Sequence, residues 1–147
     1  MSKIIKKLVL STAMAPSAIG PYSQAVLVNK TIYVSGQLGM KADTMKLVEG
    51  GVAMEARQAL FNLGHILQVA DCTYDQVVKT NVLLEDINDF EEVNMVYEEF
   101  FTGQQPAMSS YQVEGGNRGC SRHGKIKTNL IMFIRKLTIQ NRIKKST

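Results

Sequence analysis

The chain has 147 residues, of which 45% are apolar, so it is long enough to form one domain with its own hydrophobic core. No apolar run is long enough to span a membrane, and the N-terminus lacks the apolar stretch of a secretory signal peptide. The formal net charge is +4, but the charge is unevenly distributed along the chain. Residues 1–114 hold 8 basic and 13 acidic side chains, whereas residues 115–147 hold 9 basic and no acidic ones. A cytoplasmic location is expected, with mitochondrial or nuclear presence as alternatives.

Cysteine and histidine are too sparse to predict a metal site. Cys72 and Cys120 suffice for neither a disulfide framework nor a zinc cluster, so reduced thiols are expected. His65 and His123 stand alone, and His65 is predicted to be a solvent-exposed helix residue rather than a metal ligand. The sequence also lacks a P-loop, a dinucleotide fingerprint and a nucleophile elbow, which leaves no motif for a cofactor.

The first part of the chain is predicted to form strands. Their expected positions are residues 3–10, 25–28 and 31–34. The last two are joined by Asn29 and Lys30, a two-residue turn in which Asn can adopt a positive φ. Gly36 and Gly39 follow the hairpin, and glycine at these positions allows another group to approach the backbone closely.

Residues 52–70 are predicted to form the first helix. Its expected apolar stripe consists of Ala56, Ala59, Leu60, Leu63, Ile66, Leu67 and Ala70. Glu55, Arg57, Gln58 and Asn62 are placed largely outside that stripe. A strand is then predicted over residues 74–84, because β-branched side chains recur there.

A second helix and a further strand are predicted in residues 86–113. Asn88 is the expected N-cap, with Glu91 three residues later as in a capping box. Apolar residues recur at helical spacing after it: Phe90, Val93, Tyr97, Phe100 and Phe101. Gly103 is expected to end the helix, and Pro106 suits the restart of the chain as a strand over residues 107–113.

The order of elements predicts an α+β fold, with a mixed β-sheet and two helices packed on one face. The other face of the sheet would be uncovered in a monomer. Val26, Val28, Val78 and Val82 are expected on that open face. The open face predicts a homo-oligomer, because apolar surface of this kind is usually covered by a partner.

Several short segments are informative when they are taken together. They are Ala18-Ile19-Gly20-Pro21-Tyr22-Ser23-Gln24-Ala25, Tyr33-Val34-Ser35-Gly36-Gln37, Val78-Lys79-Thr80-Asn81-Val82, Asp86-Ile87-Asn88-Asp89-Phe90, Pro106-Ala107 and Tyr111-Gln112-Val113. In their order and spacing they resemble the RidA/YjgF family of reactive-intermediate deaminases over residues 3–113. The resemblance implies a chorismate-mutase-like fold and a homotrimer with sites in the clefts between subunits. It also implies hydrolysis of 2-imino acids such as 2-iminobutanoate and 2-iminopropanoate, or of their enamine tautomers, without a cofactor or metal.

The resemblance also assigns substrate-binding positions. It implies that Tyr22 lines the cleft, that Ser35 and Gly36 border the substrate, and that Asn94 belongs to the site. Taken alone, Tyr22 is more simply a packing aromatic and Asn94 a helix-surface residue. The family's carboxylate-binding Arg follows Pro-Ala, and here that position is Met108, which offers only a weak thioether acceptor.

The resemblance stops after Val113, so residues 1–113 are predicted to be the domain core and residues 114–147 a divergent basic segment. No acidic residue follows Glu114, which leaves the family's water-activating glutamate without a counterpart and the catalytic residues unassigned. With permissive codon choice, residues 115–124 read in a shifted frame resemble the missing family loop. Alternating apolar residues predict a substitute strand over 125–135, followed by a frayed end.

Three functions are consistent with the sequence. The first is an imine deaminase impaired at Met108, and the second is a non-catalytic trimer that binds small carboxylates or a protein. The third is RNA binding or translation inhibition, suggested by the basic C-terminal segment. That segment has Phe133 as its only aromatic residue for base stacking, which makes the third function the weakest.

Overall fold

The computed structural model describes residues 5–113 and, for the backbone alone, residues 128–135. Within these ranges one mixed sheet contains six strands, in the order β1-β2-β3-β6-β4-β5. The strands are β1 (Lys7–Leu10), β2 (Ala25–Val28), β3 (Thr31–Leu38), β4 (Val77–Leu84), β5 (Ala107–Gln112) and β6 (Thr128–Arg135). The β4–β5 pair is parallel and the other pairs are antiparallel. The predicted β2–β3 hairpin is confirmed, and Asn29 in its turn has φ 55°.

Two α-helices pack on the sheet, α1 (Val52–Val69) and α2 (Phe90–Phe100). The first agrees with the predicted range to one residue. Asn88 was predicted as the N-cap of the second, and this is wrong. The side chain of Asp86 accepts a hydrogen bond from the backbone N–H of Asn88 at 2.9 Å and starts a 3₁₀ turn (Ile87–Asp89). Asp fits this role because its short side chain bonds the backbone two residues ahead.

The hydrophobic core lies between the helices and one face of the sheet. Its most deeply buried side chains include Ile32, Leu60, Leu63, Ile66, Leu67, Val82 and Leu84. Glu55 and Asn62 are also buried on α1, so their predicted place outside the packed stripe is wrong. The carboxamide of Asn62 makes burial tolerable, because its Nδ2 donates to the carbonyls of Leu38 at 3.1 Å and Met40 at 2.8 Å.

The second face of the sheet is open, as predicted, but Val82 does not belong to it. Val82 is 1% exposed beneath the helices, whereas Val78 is 47% exposed. The register of β4 against β6 shifts between Val77 and Lys79, and this irregularity changes which side chains face outward. Val26 and Val28 are half-buried. Tyr33 is among the large exposed side chains on the open face.

Strand β6 fills the sheet position between β3 and β4 and pairs antiparallel with both. It lies within the range 125–135, in which alternation predicted a strand. The proposed frame shift at residues 115–124, Glu114, His123 and the predicted frayed end all lie outside the described residues. The division of the chain at residue 113 stays a prediction. In the described ranges, neither helix combines the length and apolar character needed to cross a bilayer.

Candidate functional site

A small pocket of about 50 Å³ opens between the loop before β2 and the end of β3. Tyr22 and Gly36, two of the predicted site residues, both line it. The Tyr22 ring is 51% exposed, and its hydroxyl oxygen accepts a hydrogen bond from the backbone N–H of Ile19 at 3.3 Å. The remaining lining residues are Pro16, Ser17, Ile19, Gln24, Gln37, Leu38, Met40 and Met45. Among the described residues, none that lines the pocket is Asp, Glu, Lys or Arg, so this part of the lining suits an apolar group with polar contacts at its mouth.

Ser35 and Gly36 fall in an irregular part of β3. The register against β6 shifts between Val34 and Gln37, so the two residues lie in a bulge of the ladder. A bulge interrupts the regular pairing of strands and re-aims the local backbone. The hydroxyl of Ser35 donates to the carbonyl of Ser23 at 2.5 Å. This bond ties the bulge to the chain entering β2, one residue after Tyr22.

Gln24 fixes the loop on one side of the pocket. It is 6% exposed, and its Oε1 accepts from the Thr12 N–H at 2.7 Å. Its Nε2 lies within 3.2 Å of the carbonyl oxygens of Thr12, Ala15 and Pro16. No local pattern in the sequence indicates this role, although Gln24 belongs to one of the family-like segments. Its burial follows from the need to satisfy several loop carbonyls at once.

Asn62 fixes the backbone on the other side of the pocket. The carbonyl oxygens of Leu38 and Met40, to which its Nδ2 donates, belong to two residues that line the pocket. Its own Oδ1 accepts from Gln58 at 2.9 Å. Gly39 lies between them, and a Cβ at Gly39 would overlap the backbone of Glu55. The predicted close approach at Gly39 is therefore confirmed, and the approaching group is α1.

Asn94 and Met108 lie elsewhere on the protomer, and neither lines the pocket. Asn94 is half-buried on α2, where its Nδ2 donates to Glu98 at 3.3 Å. Met108 is half-buried on the edge strand β5 and packs against the core. Its Sδ accepts a hydrogen bond from the Ser110 hydroxyl at 3.5 Å. The structure thus brings Tyr22, Ser35 and Gly36 together and leaves Asn94 and Met108 on other elements.

A buried polar pair supports the strand that carries Met108. Met108 is the register partner of Thr80 in the parallel β4–β5 pair. The Thr80 hydroxyl is 2.9 Å from the hydroxyl of Tyr97 on α2, and both residues are buried. Burial raises the pKa of Tyr97, and the hydrogen bond with Thr80 opposes that rise. Both hydroxyls therefore act as a neutral link between α2 and the sheet.

Lys79, which precedes Thr80 on β4, carries a positive charge on the opposite face of the sheet. Lys79 Nζ donates to the hydroxyl of Ser109 at 2.6 Å, and both side chains are partly buried. Because consecutive residues of a strand point to opposite faces, Ser109 and Met108 lie on different sides of the sheet. Lys79 consequently does not stand in for a cation at position 108.

Comparison with known proteins bears on what these residues do. The family model described as Endoribonuclease L-PSP matches residues 12–120. The rat and human proteins named 2-iminobutanoate/2-iminopropanoate deaminase are 59% and 56% identical over 119 residues, covering 81% of this chain and 86% of each relative. Yeast Mmf1 matches with a TM-score of 0.80 at 31% identity, covering 89% of this chain and 99% of that chain. The E. coli YjgF gene product matches with a TM-score of 0.79 at 33% identity, covering 88% and 98%.

Three observations therefore support the resemblance to the RidA/YjgF family. They are the short sequence motifs, the α+β architecture and the relatives that are more than half identical over most of the chain. The prediction of the family from the short segments is confirmed. The chain belongs to the Endoribonuclease L-PSP family, the RidA/YjgF family, to which its imine-deaminase relatives also belong.

Proposed function

We propose that this protein hydrolyses 2-imino acids and their enamine tautomers to 2-oxo acids and ammonia, at a low catalytic efficiency set by Met108. The identity of 59% to the rat protein named 2-iminobutanoate/2-iminopropanoate deaminase carries the proposal. The same similarity supports short apolar imines, such as 2-iminobutanoate and 2-iminopropanoate, as substrates. The uncharged lining around Tyr22 and Gly36 suits their methyl and ethyl side chains.

The reaction requires positioning more than an unusual catalytic group. Water adds to the imine carbon: a C–O bond forms, the π electrons of the C=N bond move to nitrogen, and nitrogen takes up the proton that water releases. The resulting carbinolamine then loses ammonia: the hydroxyl oxygen gives up its proton and forms the C=O bond, the C–N bond breaks, and nitrogen takes up a proton to leave as ammonia. The protein must hold the substrate carboxylate, orient the water and stabilise the charge that develops on nitrogen and oxygen.

Tyr22 and the Ser35–Gly36 bulge are proposed to contact the reacting end of the substrate. The phenol of Tyr22 is exposed at the mouth of the pocket, where it can donate one hydrogen bond while accepting another from Ile19. The bulge is anchored through the Ser35 hydroxyl, so its backbone holds a fixed position next to Tyr22. A fixed donor costs little reorganisation when charge develops during the reaction.

Met108 is proposed to weaken binding of the substrate carboxylate. An Arg would offer a charged, bidentate fork, whereas the thioether of Met108 offers no donor and already accepts from Ser110. A hydrogen bond to a charged group contributes about 1.5–3 kcal/mol. Its loss corresponds to about 10- to 100-fold in transition-state binding. Asn94 is proposed to remain as the polar group of this half of the site.

We further propose a homotrimer in which each site forms in a cleft between two subunits. Strands β3 and β5 are separated by β6 and β4 in the sheet, so Gly36 and Met108 lie about 14 Å apart across the strands of one protomer. A neighbouring copy would supply the missing half. The exposed side chains of Tyr33 and Val78 also suit a covered surface. Sedimentation equilibrium tests this, and a monomer at micromolar concentration would contradict it.

A coupled assay tests the deaminase proposal. A pyridoxal-phosphate dehydratase generates 2-iminobutanoate, and its decay is followed with and without this protein. We expect decay faster than in buffer but about 10- to 100-fold slower than with an equal amount of an Arg-bearing relative. Rates equal to that relative would contradict the assigned effect of Met108.

Met108 also favours a second candidate, a non-catalytic trimer that binds small carboxylates or a protein. This candidate predicts imine decay no faster than in buffer, together with saturable binding of a 2-oxo acid such as 2-oxobutanoate. Isothermal titration with 2-oxobutanoate measures the binding. Rapid imine decay would exclude this candidate, because a binding module without catalytic groups would only sequester the substrate.

RNA binding stays a prediction that depends on residues 115–147. A test by removal has to spare β6, because that strand pairs with both β3 and β4 in the sheet. Deleting residues 136–147 removes basic side chains while leaving β6 in place. RNA affinity that falls steeply with salt and disappears on this deletion would support the prediction. No measurable binding at low salt would remove it.

A further inference from the structure

A second pocket lies on the helix side of the molecule, between the C-terminal half of α1, the turn that follows it and the end of α2. Its volume is about 410 Å³, within the range of small-molecule sites. Phe61, Tyr74 and Phe100 line it with their rings, and His65, Gln68 and Thr73 supply polar groups. His65, predicted to be exposed, is half-buried here. The lining shares no residue with the pocket around Tyr22.

The ring of Phe100 meets the rings of both Phe61 and Tyr74 at steep angles. The centroids of Phe61 and Phe100 are 5.2 Å apart with an interplanar angle of 79°. Those of Tyr74 and Phe100 are 5.5 Å apart with an angle of 66°. Rings set in this way form the corner of a box rather than a flat stack. The lining therefore contains aromatic surface in more than one orientation.

The position of the Tyr74 ring is fixed by contacts of its hydroxyl with α1. Its hydroxyl donates to the carbonyl of Leu60 at 2.6 Å. A Cβ at Gly64 would overlap that hydroxyl, so the glycine in the middle of α1 makes room for the tyrosine. Burial raises the pKa of Tyr74 to about 12, and the phenol stays neutral under physiological conditions. The Tyr74 ring is therefore a preformed part of the pocket lining.

The charges around the pocket favour a cation. None of the described lining residues is Lys or Arg, and the C-terminal end of α1, the negative end of its dipole, borders the cavity. Asp71 and Asp75 are exposed and lie next in sequence to lining residues. Arg57, one turn before Phe61, is paired with Glu99 at 2.6 Å, so its charge is already neutralised. The faces of aromatic rings attract alkylammonium groups by their quadrupole.

We propose that this aromatic pocket binds a small alkylammonium ligand of the choline type, with the methylated head group against Phe61, Tyr74 and Phe100. The proposal does not depend on the deaminase function, because the two pockets share no residue. The steep ring angles disfavour a planar ligand that would stack on the rings. The absence of basic side chains from the described lining disfavours an anion, and the hydrogen-bonded tyrosine keeps the aromatic surface in place.

Titration of the full-length protein with choline and with 3,3-dimethyl-1-butanol tests the proposal, because these probes share a shape and differ in charge. We expect choline to bind about 10-fold more tightly than the alcohol, by NMR or calorimetry. Equal affinities would show an apolar pocket with no preference for a cation and would overturn the proposal. No saturation by about 10 mM choline would overturn it as well.

Phe61→Leu provides the matched variant, because Phe61 is 50% exposed and its replacement keeps an apolar side chain. We expect choline affinity to fall about 5- to 10-fold while the thermal unfolding midpoint changes little. Phe90→Leu is the control, since Phe90 is an exposed ring of α2 outside the pocket. Choline affinity unchanged in Phe61→Leu, or reduced equally in Phe90→Leu, would contradict the assignment.

Discussion

Met108 lies opposite Thr80 in the parallel β4–β5 pair, and Thr80 is fully buried with its hydroxyl 2.9 Å from that of Tyr97. Register partners on neighbouring strands project toward the same face of a sheet. Met108 therefore stands on the helix-packed face, next to a polar link that joins α2 to β4. Position 108 therefore has a buried, hydrogen-bonded neighbour on β4, and its own side chain is a thioether.

The Thr80–Tyr97 hydrogen bond is predicted to stabilise the fold as a pair. Thr80→Val leaves the Tyr97 hydroxyl buried without this partner, and we expect a loss of about 1–3 kcal/mol in the free energy of unfolding. Adding Tyr97→Phe removes the stranded hydroxyl and should recover part of the loss. Urea unfolding of the two single variants and the double variant measures the coupling. Single effects that simply add would contradict a direct interaction.

Asn62 is predicted to hold the pocket in shape. Asn62→Ala removes the donor that serves the carbonyls of Leu38 and Met40, and leaving these groups buried should cost about 2–3 kcal/mol. Gln58→Ala is the control, because it removes only the bond from Gln58 to Asn62. We expect that variant to lose about 1 kcal/mol or less. Chemical denaturation compares the two, and equal losses would show that the carbonyl contacts contribute little.

Tyr74 makes stability sensitive to alkaline pH. Its pKa is raised by burial from 10.0 to about 12, so the folded protein retains the phenolic proton where the unfolded chain releases it. The contribution of Tyr74 is therefore complete below pH 10 and is lost as pH rises from 10 to 12. Partial exposure of the ring limits the loss to about 2 kcal/mol or less.

Tyr74→Phe should reduce the alkaline loss of stability, since the variant has no proton to release at this position. Urea unfolding between about pH 9 and pH 11.5 gives the slope for each protein. Phe90→Leu serves as the control and should keep the slope of the unmodified chain, because it changes an exposed ring and removes no titratable group. Identical slopes for Tyr74→Phe and the unmodified chain would rule out the assigned role.

The elements with a strong local signal could be predicted from the sequence. The repeating apolar stripe located α1 to within one residue, and Asn29 located the hairpin turn. Errors arose where tertiary contacts override the local pattern. Asn62 is buried because loop carbonyls need a donor, and Val82 points inward because of the shift in the β4–β6 register.

The candidate site could be predicted only in part, because it also depends on tertiary contacts that no local pattern shows. Short motifs identified Tyr22, Ser35 and Gly36, which are close in sequence to a single hairpin and meet in space. No local pattern distinguishes Gln24 as the anchor of its loop, since the four bonds it makes reach back 8 to 12 residues. Nor does periodicity place Asn94 and Met108 relative to that hairpin, because this depends on how the sheet and any partner copies assemble.

Tyr22 is predicted to act through its hydroxyl in imine hydrolysis. Tyr22→Phe keeps the ring and removes one hydrogen bond, so kcat/KM toward 2-iminobutanoate should fall about 2- to 10-fold. Tyr111→Phe is a matched control, because Tyr111 is 53% exposed on β5 and lies outside the pocket. The coupled assay measures both. An unchanged kcat/KM in Tyr22→Phe would show that the Tyr22 hydroxyl does not contribute to the reaction.

We attribute the low catalytic efficiency proposed for this protein to the side chain at position 108. Met108 packs against the core, so a substitution there can disturb folding. Each variant at position 108, and its control, is therefore first compared with the unmodified chain for thermal unfolding and oligomeric state. Met108→Leu keeps an apolar side chain and should leave activity unchanged. Met95→Arg adds the same charge at a side chain that is 64% exposed on α2 and should also leave activity unchanged.

The most direct measurement is kcat/KM toward 2-iminobutanoate for Met108→Arg in the coupled assay. We predict a rise of about 10- to 100-fold over the unmodified chain, because a bidentate guanidinium would bind the substrate carboxylate. Met108→Lys should give a smaller rise, since an ammonium group supplies charge without the fork. A folded Met108→Arg protein of unchanged oligomeric state, with no gain in kcat/KM, would contradict it.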